Sequence, residues 1–407
     1  MSILAKWFLS KTVRHAMEMR KTVLKLVRAQ QDLIKPESAD ALRFAAEELK
    51  ATVIETMDKE VLRKEMKRLE EVANKHLIPY PSPGARENTE VVLVAIAVAM
   101  AIRTFFLQPF KIPTGSMQPT LYGITHENYR NREDVVFPTG IEKWFDRWFR
   151  GVKHIHVVAE ESGYLNSVEP TVRHFRFMKK QSFKVGNKRY TVKGIPDDLI
   201  GPSSYRGVSG RAELHYDASA GQGNQYFEKG EDIIKLKIIS GDHLFVDRLT
   251  YNFRPPRRGE IIVFATAGIT GLQQDQFYIK RLVALGGENV SINSERQAVI
   301  DGQALNASTY LFENVYTFTG PPKDSVWSGH VNGQIDARLS PRFYDETDVR
   351  MVRTNHFMVF GDNTVNSFDS RAWGDFTETN VIGRSAFVYW PIFSQGDRPG
   401  RFGWSHR

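Results

Sequence analysis

Residues 91–121 read VVLVAIAVAMAIRTFFLQPFKIPTGSMQPTL, and this stretch separates two regions of different composition. The run from Val91 to Ile102 is entirely apolar, and after Arg103 a second short apolar stretch ends at Leu107. As a helix the whole run spans about 25 Å, slightly less than the ~30 Å hydrocarbon core of a bilayer. Residues 91–107 are therefore predicted to form one transmembrane helix, with a buried core helix as the alternative.

The region before this run, residues 1–80, is strongly charged and is predicted to be helical. The first thirty residues carry seven basic side chains and one acidic one, with apolar residues spaced for one helical face. This pattern suits an amphipathic helix at a membrane surface, or equally a basic helix that packs on its neighbour. Ser38 is a candidate N-cap for a second long helix that runs to about His76. We expect a helical hairpin on the cytoplasmic side of the membrane.

Beyond residue 110 the sequence changes to short runs of β-branched and aromatic residues separated by Gly, Pro, Asn and Asp, which is typical of β-strands. Residues 108–407 are therefore predicted to form a mainly β region that follows the N-terminal α-helical region and the transmembrane helix. The strand-like runs are 155–158, 244–246, 261–264, 299–300, 357–360 and 386–390.

The composition excludes several kinds of site. The 407 residues include no cysteine, so disulfides, thiolate metal sites and cysteine nucleophiles are ruled out. The net charge of +8 suits an anionic membrane surface or nucleic acid. The basic segment 174–190, predicted as a strand pair, is accompanied by no nucleic-acid-binding motif, so we expect no nucleic-acid partner. Metal-ligand clusters and nucleotide-binding glycine loops are also missing from the sequence, so we expect no cofactor.

A serine and a lysine stand out in the β region. Ser116 lies in the turn Ile112–Leu121, where a serine flanked by Gly and Pro is often only a turn residue. Lys280 lies in an alternating strand, Phe277–Val283, whose neighbouring residues are apolar. A serine hydroxyl needs a base to become a nucleophile, and the sequence shows no recognisable histidine triad. A buried lysine can serve as that base, because desolvation favours its neutral amine.

Four segments in order closely resemble the type I signal (leader) peptidases, which are membrane-anchored serine proteases with a Ser–Lys dyad. AIRTFFLQPFKIPTGSMQPTL (101–121) is similar to the membrane-exit and nucleophile block. SGDHLFVDRLTYNFRPPRRGEIIVF (240–264) is similar to the strand pair before the lysine. YIKRLVALGGENV (278–290) resembles the general-base block, and FGDNTVNSFDSRAWG (360–374) resembles the last block. Together they cover about a fifth of the chain and imply a signal-peptidase-like β fold.

The resemblance implies a role for each matching residue. Ser116 corresponds to the nucleophile, and Lys280 corresponds to the general base that takes its proton and passes it to the leaving amine. The oxyanion is expected between the Ser116 N–H and the hydroxyl of Thr114, where the family usually has serine.

Three further positions match residues that support the site. Ser367 corresponds to the serine that orients the lysine amine. Asp369 and Arg371 correspond to a supporting charge pair.

The sequence also departs from the family pattern. Residues 284–288 read ALGGE where the family commonly has GLPGD, and residues 364–365 read TV where it usually has RD. An insertion at about 123–239 separates the serine from the lysine, and its part from Gly201 to Gly223 is predicted to be loop. None of these departures removes a candidate catalytic group.

The resemblance implies a membrane-bound endopeptidase that removes signal peptides from exported preproteins after small residues of the Ala-x-Ala type. Its partners are then secretory preproteins and membrane lipid. Its location is the cytoplasmic (inner) membrane, with the catalytic region on the extracytoplasmic side. Two alternatives are a catalytically silent membrane-tethered scaffold, suggested by the insertion, and a self-cleaving regulator of the same fold.

Overall fold

The computed structural model describes residues 6–8, 10–79, 83–130, 132–174, 178–193, 200–202, 214–216, 225–317, 328–393, 398 and 400–404. The chain divides into two compact units, Met1–Val98 and Ala99–Arg407. The first unit is helical and the second consists mostly of β-strands, which confirms the predicted fold class.

In the described part of the first unit, three helices pack together: α1 (Lys11–Ala29), α2 (Pro36–Glu55) and α3 (Lys59–His76). Their apolar faces form one core, so α1 packs on the neighbouring helices as one of the two alternatives predicted. Its buried residues are Val13, Ala16, Val23 and Val27. Residues 1–5, at the start of the predicted amphipathic helix, lie outside the described residues.

The prediction of a two-helix hairpin is wrong, because the second helix is interrupted before Asp58. The Asp58 carboxylate accepts hydrogen bonds from the backbone N–H groups of Glu60 and Val61, at 2.7 and 3.3 Å, and so begins a new helix. Ser38 is not the N-cap of α2 either. The helix already begins at Pro36, whose fixed φ and missing N–H suit a first helical position.

Helix α4 (Pro83–Phe105) contains the apolar run. Among the described residues it is the one helix long and apolar enough to cross a membrane, and none of its residues from 87 to 105 is buried. The alternative of a buried core helix is therefore wrong. The helix stops before Leu107, because the backbone there pairs with another strand and the Phe106 carbonyl accepts a hydrogen bond from Arg248 N.

A seven-stranded antiparallel sheet forms the centre of the second unit and contains most of the predicted strands. Apolar side chains cover it on both faces. In spatial order its strands are β1 (Leu107–Lys111), β12 (His243–Asp247), β21 (Val381–Trp390), β13 (Ile261–Ala265), β14 (Phe277–Ala284), β19 (His356–Phe360) and β20 (Phe376–Thr377).

A four-stranded sheet shares a core with the ends of β14 and β19. Short helices connect these elements. The strands of this sheet are β17 (Gln303–Ala304), β16 (Ala298–Ile300), β15 (Asn289–Ile292) and β18 (Arg350–Met351), and the helices are α6 (Glu313–Thr317), α7 (Gly333–Asp336) and α8 (Ser370–Trp373).

The predicted insertion has a hydrophobic core of its own, which includes Leu165, Phe183 and Phe227. A short helix, α5 (Gly140–Phe145), comes between its first two strands and continues as a π-helical turn, Asp146–Arg150. Most of the strands form two sheets. One is ordered β2 (Thr125–Asn128), β11 (Asp232–Ile239), β3 (Val152–Val158), and the other is ordered β10 (Tyr226–Phe227), β4 (Gly163–Asn166), β6 (Met178–Val185), β5 (Val172–His174), with β7 (Lys188–Lys193) also paired to β6.

Two predictions within the insertion have different outcomes. The strand pair predicted in 174–190 is confirmed as the antiparallel pair of β6 and β7, although residues 175–177 lie outside the described residues. The loop predicted for Gly201–Gly223 is wrong for residues 201–202 and 214–216, because β8 (Ile200–Pro202) and β9 (Leu214–Tyr216) pair in parallel. The rest of that segment lies outside the described residues.

Candidate active site

The turn that carries Ser116 is fixed at both its start and its end. Ile112, Met117 and Leu121 point into the core beneath the main sheet. The Ile112 N–H donates to the Asp242 carbonyl at 2.8 Å, and the Tyr122 N–H donates to the Asp242 carboxylate at 2.7 Å. Because one residue holds both sides of the turn, Ser116 is presented in a defined position.

Lys280 reaches this turn from β14, where its backbone pairs with Ile262 of β13. Its amine Nζ lies 2.6 Å from Ser116 Oγ. Both residues are buried: Lys280 is 5% exposed and Ser116 is 6% exposed. The predicted strand position therefore does turn the lysine inward. The sheet brings together two residues that lie 164 positions apart in the sequence.

The surroundings of Lys280 favour a neutral amine. Burial lowers the pKa of Lys280 from 10.5 to about 8, and the positive charge of Arg371 adds to this effect. The carboxylates of Asp369 and Asp362 act in the opposite direction and raise the pKa. When protonated, the amine donates to Ser116 Oγ; when neutral, it can accept the serine proton.

Asp369 and Arg371 form an ion pair with no exposed surface on either side chain. Arg371 Nε and Nη2 donate to the two carboxylate oxygens at 2.9 and 2.8 Å, and the Gly361 N–H donates to one of them at 2.9 Å. Burial raises the pKa of the Asp369 carboxyl, but Arg371 and these hydrogen bonds outweigh it and the net pKa is lowered. The carboxylate is thus a permanent negative charge that acts on Lys280.

Ser367 is buried beside the serine turn. A Cβ built on Gly361 would lie 2.1 Å from Ser367 Oγ and 2.6 Å from the Ser116 carbonyl oxygen, so these groups meet at that glycine. Among the described residues the Lys280 amine hydrogen bonds only to Ser116, so no bond between Ser367 and Lys280 is present. The orienting role of Ser367 stays a prediction.

The groups predicted to bind the oxyanion lie on the same turn. Thr114 is exposed two residues before Ser116, and its backbone packs closely against Gly123. The backbone N–H of Ser116 donates to no group in the described part of the chain. It is therefore free to donate to a bound carbonyl oxygen.

Comparison with known proteins agrees with this arrangement. Residues 85–136 and 235–390, about half of the chain, match the family described as signal peptidase, peptidase S26. The chain belongs to the signal peptidase family. All six predicted site residues lie within the matched ranges, whereas residues 137–234 of the predicted insertion do not match.

The relatives align with less than half of this chain. Signal peptidase I of Leptolyngbya laminosa is 32% identical over 159 residues, which cover 38% of this chain and 64% of the relative. A probable chloroplastic thylakoidal processing peptidase 2 of Arabidopsis thaliana is 32% identical over 154 residues, covering 37% and 34%. The chain thus spans less than two thirds of the length of these relatives. A signal peptidase I structure from Enterococcus faecalis V583 aligns at 22% identity with a TM-score of 0.21, covering 32% of this chain and 97% of that one.

The structure adds site residues that sequence reasoning missed. Arg281 and Asp362 form a second buried ion pair, with Nε to Oδ1 at 2.7 Å and Nη2 to Oδ2 at 2.6 Å. Thr120 Oγ1 of the serine turn donates to the same carboxylate at 2.5 Å. Their places in the sequence could have pointed to them, because Arg281 directly follows Lys280 and Asp362 lies at the start of the last resembling block.

Asn363 is a second missed contact of the turn. Its backbone N–H donates to the Ser116 carbonyl at 3.0 Å, and its side-chain amide donates to the Gly115 carbonyl at 3.1 Å. These bonds tie the last block to the nucleophile turn. No group of three or more His, Asp or Glu side chains suited to a metal ion occurs among the residues that the structure describes.

Proposed function

We propose that this family member is a membrane-bound serine endopeptidase that removes signal peptides from exported preproteins. Ser116 is the nucleophile and Lys280 is the general base. The observation that carries the proposal is the 2.6 Å contact between Ser116 Oγ and the buried Lys280 amine. Such a pair supplies both the nucleophile and the base that acyl transfer requires.

The reaction follows from this geometry. The neutral Lys280 amine takes the Ser116 proton while Oγ bonds to the scissile carbonyl carbon, which gives a tetrahedral intermediate. The Ser116 N–H and the Thr114 hydroxyl donate to its oxyanion. The Lys280 ammonium then gives its proton to the leaving amine as the peptide bond breaks. Water, deprotonated by the same lysine, hydrolyses the resulting ester and restores the serine hydroxyl.

The supporting residues keep this pair in place. Asp369 and Arg371 form a buried ion pair near the lysine. Ser367 orients the amine after it takes the proton. Asp369 raises the Lys280 pKa and burial lowers it. The ion pair and the burial together therefore set the pH at which the enzyme works.

The apolar helix and the family support a proposed substrate class and location. Helix α4 ends at Phe105, so the serine turn is held close to the membrane surface where apolar signal segments lie. We assign the protein to the cytoplasmic (inner) membrane, with the catalytic region outside and residues 1–80 in the cytoplasm. Cleavage follows small residues of the Ala-x-Ala type, read from an extended peptide by shallow pockets.

The test is cleavage of a model preprotein by the full chain in liposomes, with sequencing of the new N-terminus. Ser116→Ala and Lys280→Met should each abolish cleavage, because either change removes one half of the pair. Lys235→Met is the matched control, since Lys235 is also a buried lysine but hydrogen bonds to the Arg132 carbonyl in another part of the unit. Equal cleavage by wild type and Ser116→Ala would refute the proposal and favour the scaffold alternative.

A further inference from the structure

The segment Gly140–Arg150 presents apolar side chains to solvent although it is firmly attached to the sheet. Ile141, Trp144 and Trp148 are 85%, 54% and 59% exposed. The segment lies in the part of the chain that the family does not match. Its outward face is therefore a feature of this chain that the peptidase chemistry does not explain.

The inward face explains the attachment. Phe145 stacks on Phe149 and Phe393, with ring centroids 4.9 and 5.6 Å apart. The backbone N–H of Ile392 donates to the Phe149 carbonyl at 2.9 Å, and the Trp390 indole donates to the Trp148 carbonyl at 2.8 Å. These contacts hold the segment against the end of β21, so its exposed side chains project from a rigid support.

The charged side chains of the segment differ in their exposure to solvent. Asp146 is buried, pairs with Arg150 at 2.9 Å and hydrogen bonds to His154 at 2.9 Å. Lys143 and Arg147 remain exposed, with Glu142 as the exposed acid. Exposed tryptophan side chains beside basic side chains are typical of helices that lie in a membrane interface.

Lys153 on β3 adds a third cation to this surface. Its amine donates to the Lys193 carbonyl, and burial together with the charges of Arg147 and Lys143 lowers its pKa to about 8. Arg147 and Lys143 are therefore close enough to Lys153 to repel its ammonium group. A nearby anionic surface would relieve that repulsion, which gives the charge complementarity that a lipid headgroup layer requires.

The sheet places this segment beside the end of β1. Trp390 pairs with His243, and His243 pairs with Lys111 at the far end of β1 from Leu107. Four residues of strand separate Lys111 from Leu107, a length of about 14 Å. The exposed side chains of Phe105 and Phe106 lie at the end of α4, just before Leu107. The segment is thus about one length of β1 along the sheet from the residues where α4 ends.

We propose that Gly140–Arg150 is an interfacial anchor that docks on an anionic lipid bilayer, with Ile141, Trp144 and Trp148 among the acyl chains and Lys143 and Arg147 at the headgroups. The anchor holds the second unit to the membrane surface at a point additional to α4. This inference goes beyond the proposed function and does not require peptidase activity.

The experiment uses the absence of natural cysteine from the chain. An Ile141→Cys variant of the full protein is labelled with the fluorophore nitrobenzoxadiazole and reconstituted in vesicles of phosphatidylcholine, with or without phosphatidylglycerol. Quenching by lipid-borne doxyl groups reports contact with acyl chains. Val349→Cys, at an exposed apolar residue just before β18, is the matched control.

We expect doxyl quenching at position 141 but not at position 349, and stronger quenching with phosphatidylglycerol. Lys143→Gln and Arg147→Gln should each lower the ratio of docked to undocked protein about fivefold in anionic vesicles. Trp144→Ala should reduce quenching, and Trp144→Phe should restore most of it, because an aromatic face is kept.

Two results would overturn the anchor. One is a label at 141 that aqueous iodide quenches in both kinds of vesicle while doxyl lipid does not. The other is burial of the label that depends on protein concentration rather than on lipid charge, which would assign the surface to a protein partner. Neither readout involves cleavage, so failure of the anchor is distinguishable from failure of the peptidase proposal.

Discussion

At the scale of single residues, Lys280 carries the most information. The residue lies on a strand next to Ile279 and Arg281 and is only 5% exposed, so little water can solvate its charge. Desolvation therefore opposes protonation, while Asp369 and Asp362 favour it. The balance leaves the pKa at about 8, so the same lysine can accept a proton and return it near neutral pH.

The pH dependence of cleavage tests this balance. Only the neutral amine can act as base, so kcat/KM should rise about tenfold per pH unit up to about pH 8 and then level off. Lys280→Arg should be inactive at every pH, because a guanidinium does not lose its proton in proteins. A wild-type profile that is flat from pH 6 to pH 9 would contradict Lys280 as the titrating group.

Stability should also depend on the protonation of Lys280. Below pH 8 the folded and unfolded states both bind the proton, whereas between pH 8 and 10.5 only the unfolded state does. The free energy of unfolding should therefore rise with pH across that window, by about 3 kcal/mol from this group. Lys280→Met should remove this rise in urea unfolding measured in detergent. Lys184→Met, at an exposed lysine, is the control and should keep it.

At the scale of elements, the last resembling block acts on the nucleophile turn through close packing. Gly361 follows β19 and lies between Ser367 Oγ and the Ser116 carbonyl, and Asn363 hydrogen bonds to the same carbonyl. The main sheet brings β14 and β19 side by side, so the lysine strand and this block approach the serine turn together.

Gly361→Ala tests this packing. The added methyl group would lie within 2.6 Å of two buried oxygen atoms, neither of which is at the end of a long flexible side chain. We expect a loss of about 1–3 kcal/mol in stability and displacement of Ser116 from Lys280, with a large fall in kcat and a small change in KM. Gly400→Ala is the control, because its Cβ would meet nothing within 4 Å. Similar kinetics for the two variants would show that the packing at Gly361 does not position the serine.

At the scale of the whole second unit, the end of the chain returns to the nucleophile turn. Arg401 Nε and Nη2 donate to the two oxygens of buried Asp242 at 2.8 and 2.9 Å. Its guanidinium lies 4.2 Å from the Tyr122 ring, and Arg398 lies 4.8 Å from the same ring. Because Asp242 also holds both sides of the serine turn, the C-terminal segment stabilises the site from outside the part that the family matches.

Arg401→Met should leave the Asp242 carboxylate buried without its partner and lower stability by about 3–5 kcal/mol in urea unfolding. Arg338→Met removes an arginine from an exposed ion pair with Asp336 and should cost less than about 1 kcal/mol. Adding Asp242→Asn to Arg401→Met should recover part of the loss, because no charge is then buried. Equal losses for the two single variants would mean that the Arg401–Asp242 pair contributes little.

Local sequence signals predicted the elements whose character depends on adjacent residues. The strands at 244–246, 261–264 and 357–360 were predictable because a run of β-branched and aromatic residues suits a pleated surface in any context. The interruption at Asp58 was not, because the apolar spacing continues across it and only the capping geometry ends one helix and begins the next.

The sequence alone determined the helical region, the apolar helix, the β region and the order of the motifs that mark Ser116 and Lys280, because composition and spacing are properties of neighbouring residues. Only the tertiary structure decided that Ser116 and Lys280 touch, that Arg281 pairs with Asp362, and that the Gly140–Arg150 segment exposes its tryptophans. The physical reason is that a contact, a buried charge and a lowered pKa all depend on which distant segments exclude water from a side chain, and that exclusion exists only after the sheet has formed.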